Sequence, residues 1–189
     1  MARLQGLTSL EARRFRTGRP SLDFAHTGGE GAYTQFELLH RTADVSKWIG
    51  VVLDVGPVDA RPGDLARALE LRRAVWNSAQ RVVSGRHPST GARRLVNRYA
   101  AAAPAVPLLA TDGSATVERP VSADQALSTL ARDAIDLFGG PLGQRVRICA
   151  ADDCGLLFVD QSRPGARRWC SMQRCGTIAK VRGYRARVV

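Results

Sequence analysis

The chain holds 189 residues, 44% of them hydrophobic, which allows one ordinary core plus a small appended module. No stretch approaches the apolar length that crosses a bilayer, so a membrane-spanning class is excluded and no membrane partner is expected. The formal charge of +11 is unevenly placed: residues 1–19 hold five Arg against one Glu, residues 145–189 hold ten basic against three acidic residues, and residues 20–144 hold thirteen of each. A neutral middle between two basic ends points to a polyanion at the ends. The clustering carries that inference, because the preference for Arg (26 of 28 basic residues) also accompanies GC-rich coding.

After a basic arm over residues 1–19, Leu22–Gly29 is a short amphipathic stretch that caps the core edge and ends in a glycine turn. Thr42 is the expected N-cap of a helix with Val45, Trp48, Ile49 and Val52 on one face, stopped by Gly56-Pro57. A longer helix runs from Asp64 to Val83, with Arg72 snorkelling out of its apolar face. Pro88-Ser89 opens a third helix with Leu95, Val96, Tyr99, Ala102 and Ala103 inward. Two short apolar runs about Asp112-Gly113 predict a β-hairpin. Ser122 with Gln125 forms a capping box for a fourth helix, which Gly139-Gly140-Pro141 terminates. Periodicity then switches to short strands at Val146–Ile148 and Leu156–Val159, and a final helix follows Ser171, with Ile178, Val181 and Val188 on one side and Lys180, Tyr184 and Arg187 on another.

All four cysteines fall in the last 41 residues, as the pairs Cys149/Cys154 and Cys170/Cys175. Two close pairs flanking a hairpin-sized segment suit one tetrahedral zinc ion, held structurally, one per chain. The alternatives are two disulfides or unrelated buried thiols. Disulfides belong to oxidising compartments, whereas Met1–Leu7 lacks the apolar run of a secretory signal, so a reduced, cytoplasmic setting is expected. The fold class that results is mainly α: a helical domain over residues 20–140 with a small β-hairpin, then a four-cysteine finger of hairpin plus helix over 141–189. The helical domain is expected to fold independently, with no chemistry of its own.

These residues resemble the CGNR zinc-finger proteins. The resemblance rests on Cys149 and Cys154, Leu157-Phe158-Val159-Asp160, Ser162-Arg163, Arg168-Trp169-Cys170-Ser171-Met172, Cys175-Gly176, Lys180, Tyr184 and Arg187. Upstream, Leu22-Asp23-Phe24-Ala25-His26-Thr27, Ala43–Trp48 and Leu71–Ala74 are similar to the helical ABATE-type domain that precedes this finger. The family pattern has Asn-Arg where this chain has Thr177-Ile178 after Cys175-Gly176, and Ile178 is expected to fill core space. The resemblance implies a transcription regulator of bacterial type, and it names neither target nor effector.

A closed four-cysteine site leaves no open position for an activated water, so no enzyme and no catalytic residue is expected. His26, His40 and His87 read as helix-end or turn residues, although Asp23 and His26 together are candidates for a small-molecule effector pocket. Arg163, Arg167, Arg168, Arg174, Lys180, Arg182, Tyr184, Arg185 and Arg187 are the candidate nucleic-acid contacts. DNA is favoured as partner, because single-stranded RNA would call for several exposed aromatics and only Tyr184 is placed for stacking. The helical domain is expected to sense a ligand or to form a homodimer. An RNA-binding or protein-interaction module with a purely structural zinc is the alternative.

Overall fold

The computed structural model describes residues 12, 14–28 and 31–188; the side chains of 31–33 and 186–188 lie outside that description. Among the described residues the named α-helices are, in order, α1 Pro20–Ala25, α2 Thr42–Leu53, α3 Asp64–Val83, α4 Thr90–Ala100, α5 Ala123–Gly139 and α6 Thr177–Val188. Strands β1 Pro107–Leu109 and β2 Ala115–Val117 lie between α4 and α5, and β3 Val146–Ile148 and β4 Leu157–Val159 lie between α5 and α6. Each strand pair is antiparallel, with Pro107 opposite Val117 and Val146 opposite Val159. The mainly helical class with a C-terminal four-cysteine hairpin and helix is therefore the observed one.

Helix α3 is the central element, touching α1, α2, α4, α5 and β3. Its inward residues Ala68, Leu71, Val75, Trp76 and Ala79 recur at helical spacing and are buried. The capping box at Ser122 is formed: its hydroxyl accepts from Gln125 N at 3.2 Å while Gln125 Oε1 takes the Ser122 amide at 2.9 Å. Ser89 likewise caps α4 through Ala92 N.

Five local expectations are corrected. The cap of α2 is Arg41 rather than Thr42, because the Asp44 carboxylate reaches back to the amides of His40 and Arg41 and satisfies both at 3.0 Å. Arg72 does not snorkel; it is 3% exposed, paired with Glu37 at 2.6 Å and donating to Thr27 Oγ1. Burial alone would raise the Glu37 carboxyl, but the Arg72 hydrogen bonds outweigh it and hold the group below its ordinary range. Gly28, at φ +140°, permits that approach, since a Cβ there would lie 2.5 Å from Glu37 Cα. Ala102 and Ala103 are exposed, because α4 ends at Ala100 before its periodicity reaches them. Among its described side chains helix α6 buries no apolar stripe, with Ile178 half-buried and Val181 44% exposed, while the Val188 side chain lies outside the described residues.

The fifth correction concerns α1, which sits in the core rather than at its edge. Ser21 to Ala25 are all buried. Asp23 Oδ1 accepts from both Thr17 N and Thr17 Oγ1, at 3.0 and 2.8 Å. His26, 1% exposed, takes the Leu157 amide on Nε2 at 3.0 Å and meets Trp76 edge-on, centroids 5.7 Å apart. The basic arm is likewise no free tail where it is described. Phe15 is fully buried, Arg14 lies over the Phe36 ring, and Arg19 pairs with Asp133 and Asp136.

Strand β4 joins the two parts of the chain. Its side chains alternate, as a strand requires: Leu157 and Val159 enter the helical core with Val146, and Phe158 points the other way, into a second cluster with Cys149 and Cys175. The core thus crosses the boundary at residue 140. Isolating residues 20–140 would expose the core side chains that Val146, Leu157 and Val159 cover and would take Leu157 away from His26.

Burial pushes the His26 imidazole down to about 3, with the Arg14 charge acting in the same sense against the Leu157 carbonyl. The unfolded chain, with an ordinary histidine near 6.5, therefore binds more protons between those two values. This contribution to stability is complete above the unfolded value and is lost as pH falls, at up to about 1.4 kcal/mol per pH unit. Replacing His26 by Gln is expected to flatten the pH dependence of the urea midpoint between about pH 4 and 6 by close to one proton. Measuring wild type and variant together removes any loss of metal common to both.

Candidate metal centre and basic face

The finger's two cysteine knuckles are built differently. Cys149 continues the β3 ladder, its amide bonded to Leu156 O at 2.9 Å, and the chain turns back through Cys154, whose amide meets Ala151 O at 3.0 Å. Gly155, at φ +59°, completes this turn. The second knuckle is a π turn over Met172–Gly176, closed by Gly176 N on Ser171 O at 3.0 Å. A Cβ at Gly176 would sit 2.9 Å from Met172 Cε, the movable end of a half-exposed side chain. Ala150 N on Arg168 O, at 2.9 Å, ties one knuckle to the other.

The four sulfurs converge, all within 4.8 Å of one another. Cys154 and Cys170 Sγ are 3.5 Å apart, and Cys170 and Cys175 Sγ 3.8 Å apart. A tetrahedron with bonds near 2.3 Å has edges of roughly 3.8 Å, close to these two separations, so the donor set suits zinc. The cysteines are free thiols, which removes the disulfide alternative for this arrangement. Their acidities show what packing them together entails. Hydrogen bonding from Cys170 lowers Cys154 to about 5, the same bond with burial and the Cys154 charge pushes Cys170 up, and burial raises Cys175 to about 11. One thiolate forms at the others' expense; a bound dication relieves that conflict and supplies folding energy to a module with little core of its own.

A polar loop braces the second knuckle. Asp160 is fully buried, and its oxygens accept from Ser162 N, Ser162 Oγ and Arg167 N at 2.6 to 2.9 Å. These bonds, the Ser162 hydroxyl first, hold its carboxyl down to about 2. Arg167 then lies over the Phe158 ring and donates to the carbonyls of Trp169 and Cys170. Asp160 was missed as a site residue in the sequence, although Asp160-Gln161-Ser162 carries the signal of a side-chain-closed turn.

Residues 18–141 match the family described as "Putative stress-induced transcription regulator", ABATE. The chain belongs to the ABATE family. Residues 145–188 of this ABATE protein match the CGNR zinc finger, so the two matches meet just after the Gly139-Gly140-Pro141 turn. No curated protein matches it. Neither family is one of enzymes, and no helix among the described residues is long and apolar enough to cross a membrane.

The ABATE protein's basic candidates divide into two groups. Arg163, Arg168, Arg174, Lys180 and Arg185 are exposed and meet no carboxylate among the described residues, and Tyr184 is 67% exposed on α6. Arg168 lies over the Trp169 ring. Arg167 and Arg182 are engaged, the first as the brace just described and the second with Asp152 and Asp153 at 3.4 and 3.8 Å. The Arg187 side chain lies outside the described residues. Thr177 donates to Met172 O at 3.1 Å, and Ile178 is half-buried outside both apolar clusters rather than filling either. Asp23 and His26 are brought close to the finger, but as buried ties to Thr17 and Leu157. His40 is a turn residue, with Nε2 3.1 Å from Glu37 O, and His87 O caps the Arg81 side chain.

Elemental analysis is expected to give one zinc per chain, and Cys154→Ser or Cys170→Ser to remove it, since three sulfurs leave an open vertex. The loss should also reach the helical body, because Phe158 and Leu157 share one strand. Metal removal is expected to lower the unfolding midpoint of the whole chain in one transition, not to melt the finger alone.

Proposed function

We propose that this protein is a DNA-binding transcription regulator of bacterial type whose zinc finger contacts DNA. The observation that carries the reading is the set of exposed cations Arg163, Arg168, Arg174, Lys180 and Arg185, which run from the loop before the second knuckle into α6 and meet no carboxylate among the described residues. The zinc is structural, because four thiolates close its coordination and leave no place for a reacting water. Four thiolates around one dication bring two negative charges, so the finger's formal +7 becomes +5 when loaded. The surplus is still ample for a phosphate backbone, and α6, whose main packing is on the π turn, offers exposed cations as a helix that enters a groove must. Phosphate contacts of this kind set affinity and register and carry no sequence information of their own.

The helical body serves to sense a ligand or to dimerise. A specific observation favours dimerisation: the β1–β2 hairpin exposes Leu108 by 46% and Leu109 by 81%, on strands without a charge. Sedimentation velocity is expected to show a dimer that Leu109→Asp dissociates; a wild-type monomer at all concentrations would remove this part of the reading.

Five phosphate contacts give a slope of log K against log salt near −4 to −5, by counterion release. Changing Arg174 and Lys180 together to Ala is expected to flatten it by about two, with Arg167 left in place as a brace. Thr177→Asn with Ile178→Arg is expected to tighten binding. A full-length, zinc-loaded protein that binds no duplex at low salt, or prefers structured RNA in competition, would overturn the reading.

A further inference from the structure

Residues 16–18 run along the finger. Val159 N bonds to Thr17 O at 2.8 Å, and Gly18 turns at φ +95° against Gln161, whose Nε2 would lie 3.3 Å from a Cβ there. This path carries Arg16 to the second knuckle. A cavity of about 470 Å³ opens there, with Arg16 on one wall and Arg167, Cys170, Ser171, Met172 and Gln173 on the other. Arg16 is exposed and meets no carboxylate among the described residues. Arg167 spends part of its fork on the Trp169 and Cys170 carbonyls and keeps its charge. Asp160, the acid of the same loop, is fully buried and engaged with Ser162 and the Arg167 amide, so it is not a counterion for the opening. Two guanidinium groups lining one cavity repel each other until an anion lies between them. Ser171 and Gln173, whose side chains meet at 3.4 Å, add a hydroxyl and an amide to the same wall.

We propose that this cavity is a phosphate pocket shared between the N-terminal segment and the finger, and that the phosphate it takes belongs to the DNA backbone. The inference rests on the DNA reading above and extends it: Arg16, at the opposite end of the sequence, belongs to the same contact surface as the second knuckle. Planar guanidinium groups suit phosphate oxygens bidentately. The competing role for Arg16 is to offset the two negative charges of the loaded tetrathiolate, and the two roles respond to different measurements.

The test uses full-length, zinc-loaded protein and a labelled mixed-sequence duplex, titrated at about 50 mM and about 200 mM salt. The variants are Arg16→Ala, Arg16→Lys and, as a distant exposed control, Arg86→Ala. Arg16→Ala is expected to flatten the salt slope by about 0.9, so that its affinity defect is roughly 3.5-fold larger at the lower salt than at the higher. Arg16→Lys should keep the slope, and Arg86→Ala should match wild type. If wild type binds and Arg16→Ala keeps the wild-type slope, the pocket is overturned while the DNA reading stands. A weakened hold on zinc with an unchanged slope overturns it in favour of charge compensation. Inorganic phosphate, titrated alone and followed by the amide shifts of Ser171 and Gln173, separates the sources. Shifts there in a protein that binds no duplex overturn the DNA assignment, and with it the reading on which it rests.

Discussion

Strand β4 is buried on both faces, and the rest of the structure depends on that. A three-residue strand in a two-stranded hairpin is marginal by itself. Leu157-Phe158-Val159 survives because the helical core covers one side and the cysteine cluster the other. The tie of Leu157 N to His26 and of Val159 N to Thr17 fixes its remaining backbone groups. Leu157→Ala would thus remove a wholly buried side chain from a joint, at about 2–5 kcal/mol.

The same joint explains the polar residues of α1. Asp23 and His26 stand three residues apart, as a ligand-binding pair on one helical turn would, yet each reaches a different partner. Asp23 holds Thr17, which holds Val159; His26 holds Leu157. They position the finger against the body through backbone groups that would otherwise be buried without partners, a loss of about 1–3 kcal/mol each. The Arg72–Glu37–Thr27 cluster repeats this one turn along the same face of α3, where Trp76 meets His26, and breaking such a buried pair costs about 3–5 kcal/mol. The charge balance of the helical body therefore goes with internal pairing, while Arg163, Arg168, Arg174, Lys180 and Arg185 of the finger face solvent.

A rigid joint between body and finger also has a functional consequence. A finger on a flexible linker would deliver its basic face in any orientation. Here Thr17 and His26 bond to Val159 and Leu157 of the finger's strand, so the basic face is carried in one orientation relative to the body.

The zinc ligands, the two hairpins, the capping box at Ser122 and the extents of α3 and α5 were legible in the sequence, because each depends on residues close together in the chain: cysteine spacing, a two-residue period, a turn dipeptide, a cap and its third neighbour. The side chains that engage distant partners were not. Arg72 looked like a surface cation until Glu37 came beside it, Arg167 and Arg182 looked free until the Cys170 carbonyl and Asp152 took them, and Arg16 looked like part of a loose arm until Thr17 was pinned to Val159. Local pattern determines which elements form and which atoms can bind a metal; only the tertiary structure decides which charges are spent inside the protein and which remain for a partner, because a hydrogen bond or ion pair between distant residues leaves no periodic trace in the chain.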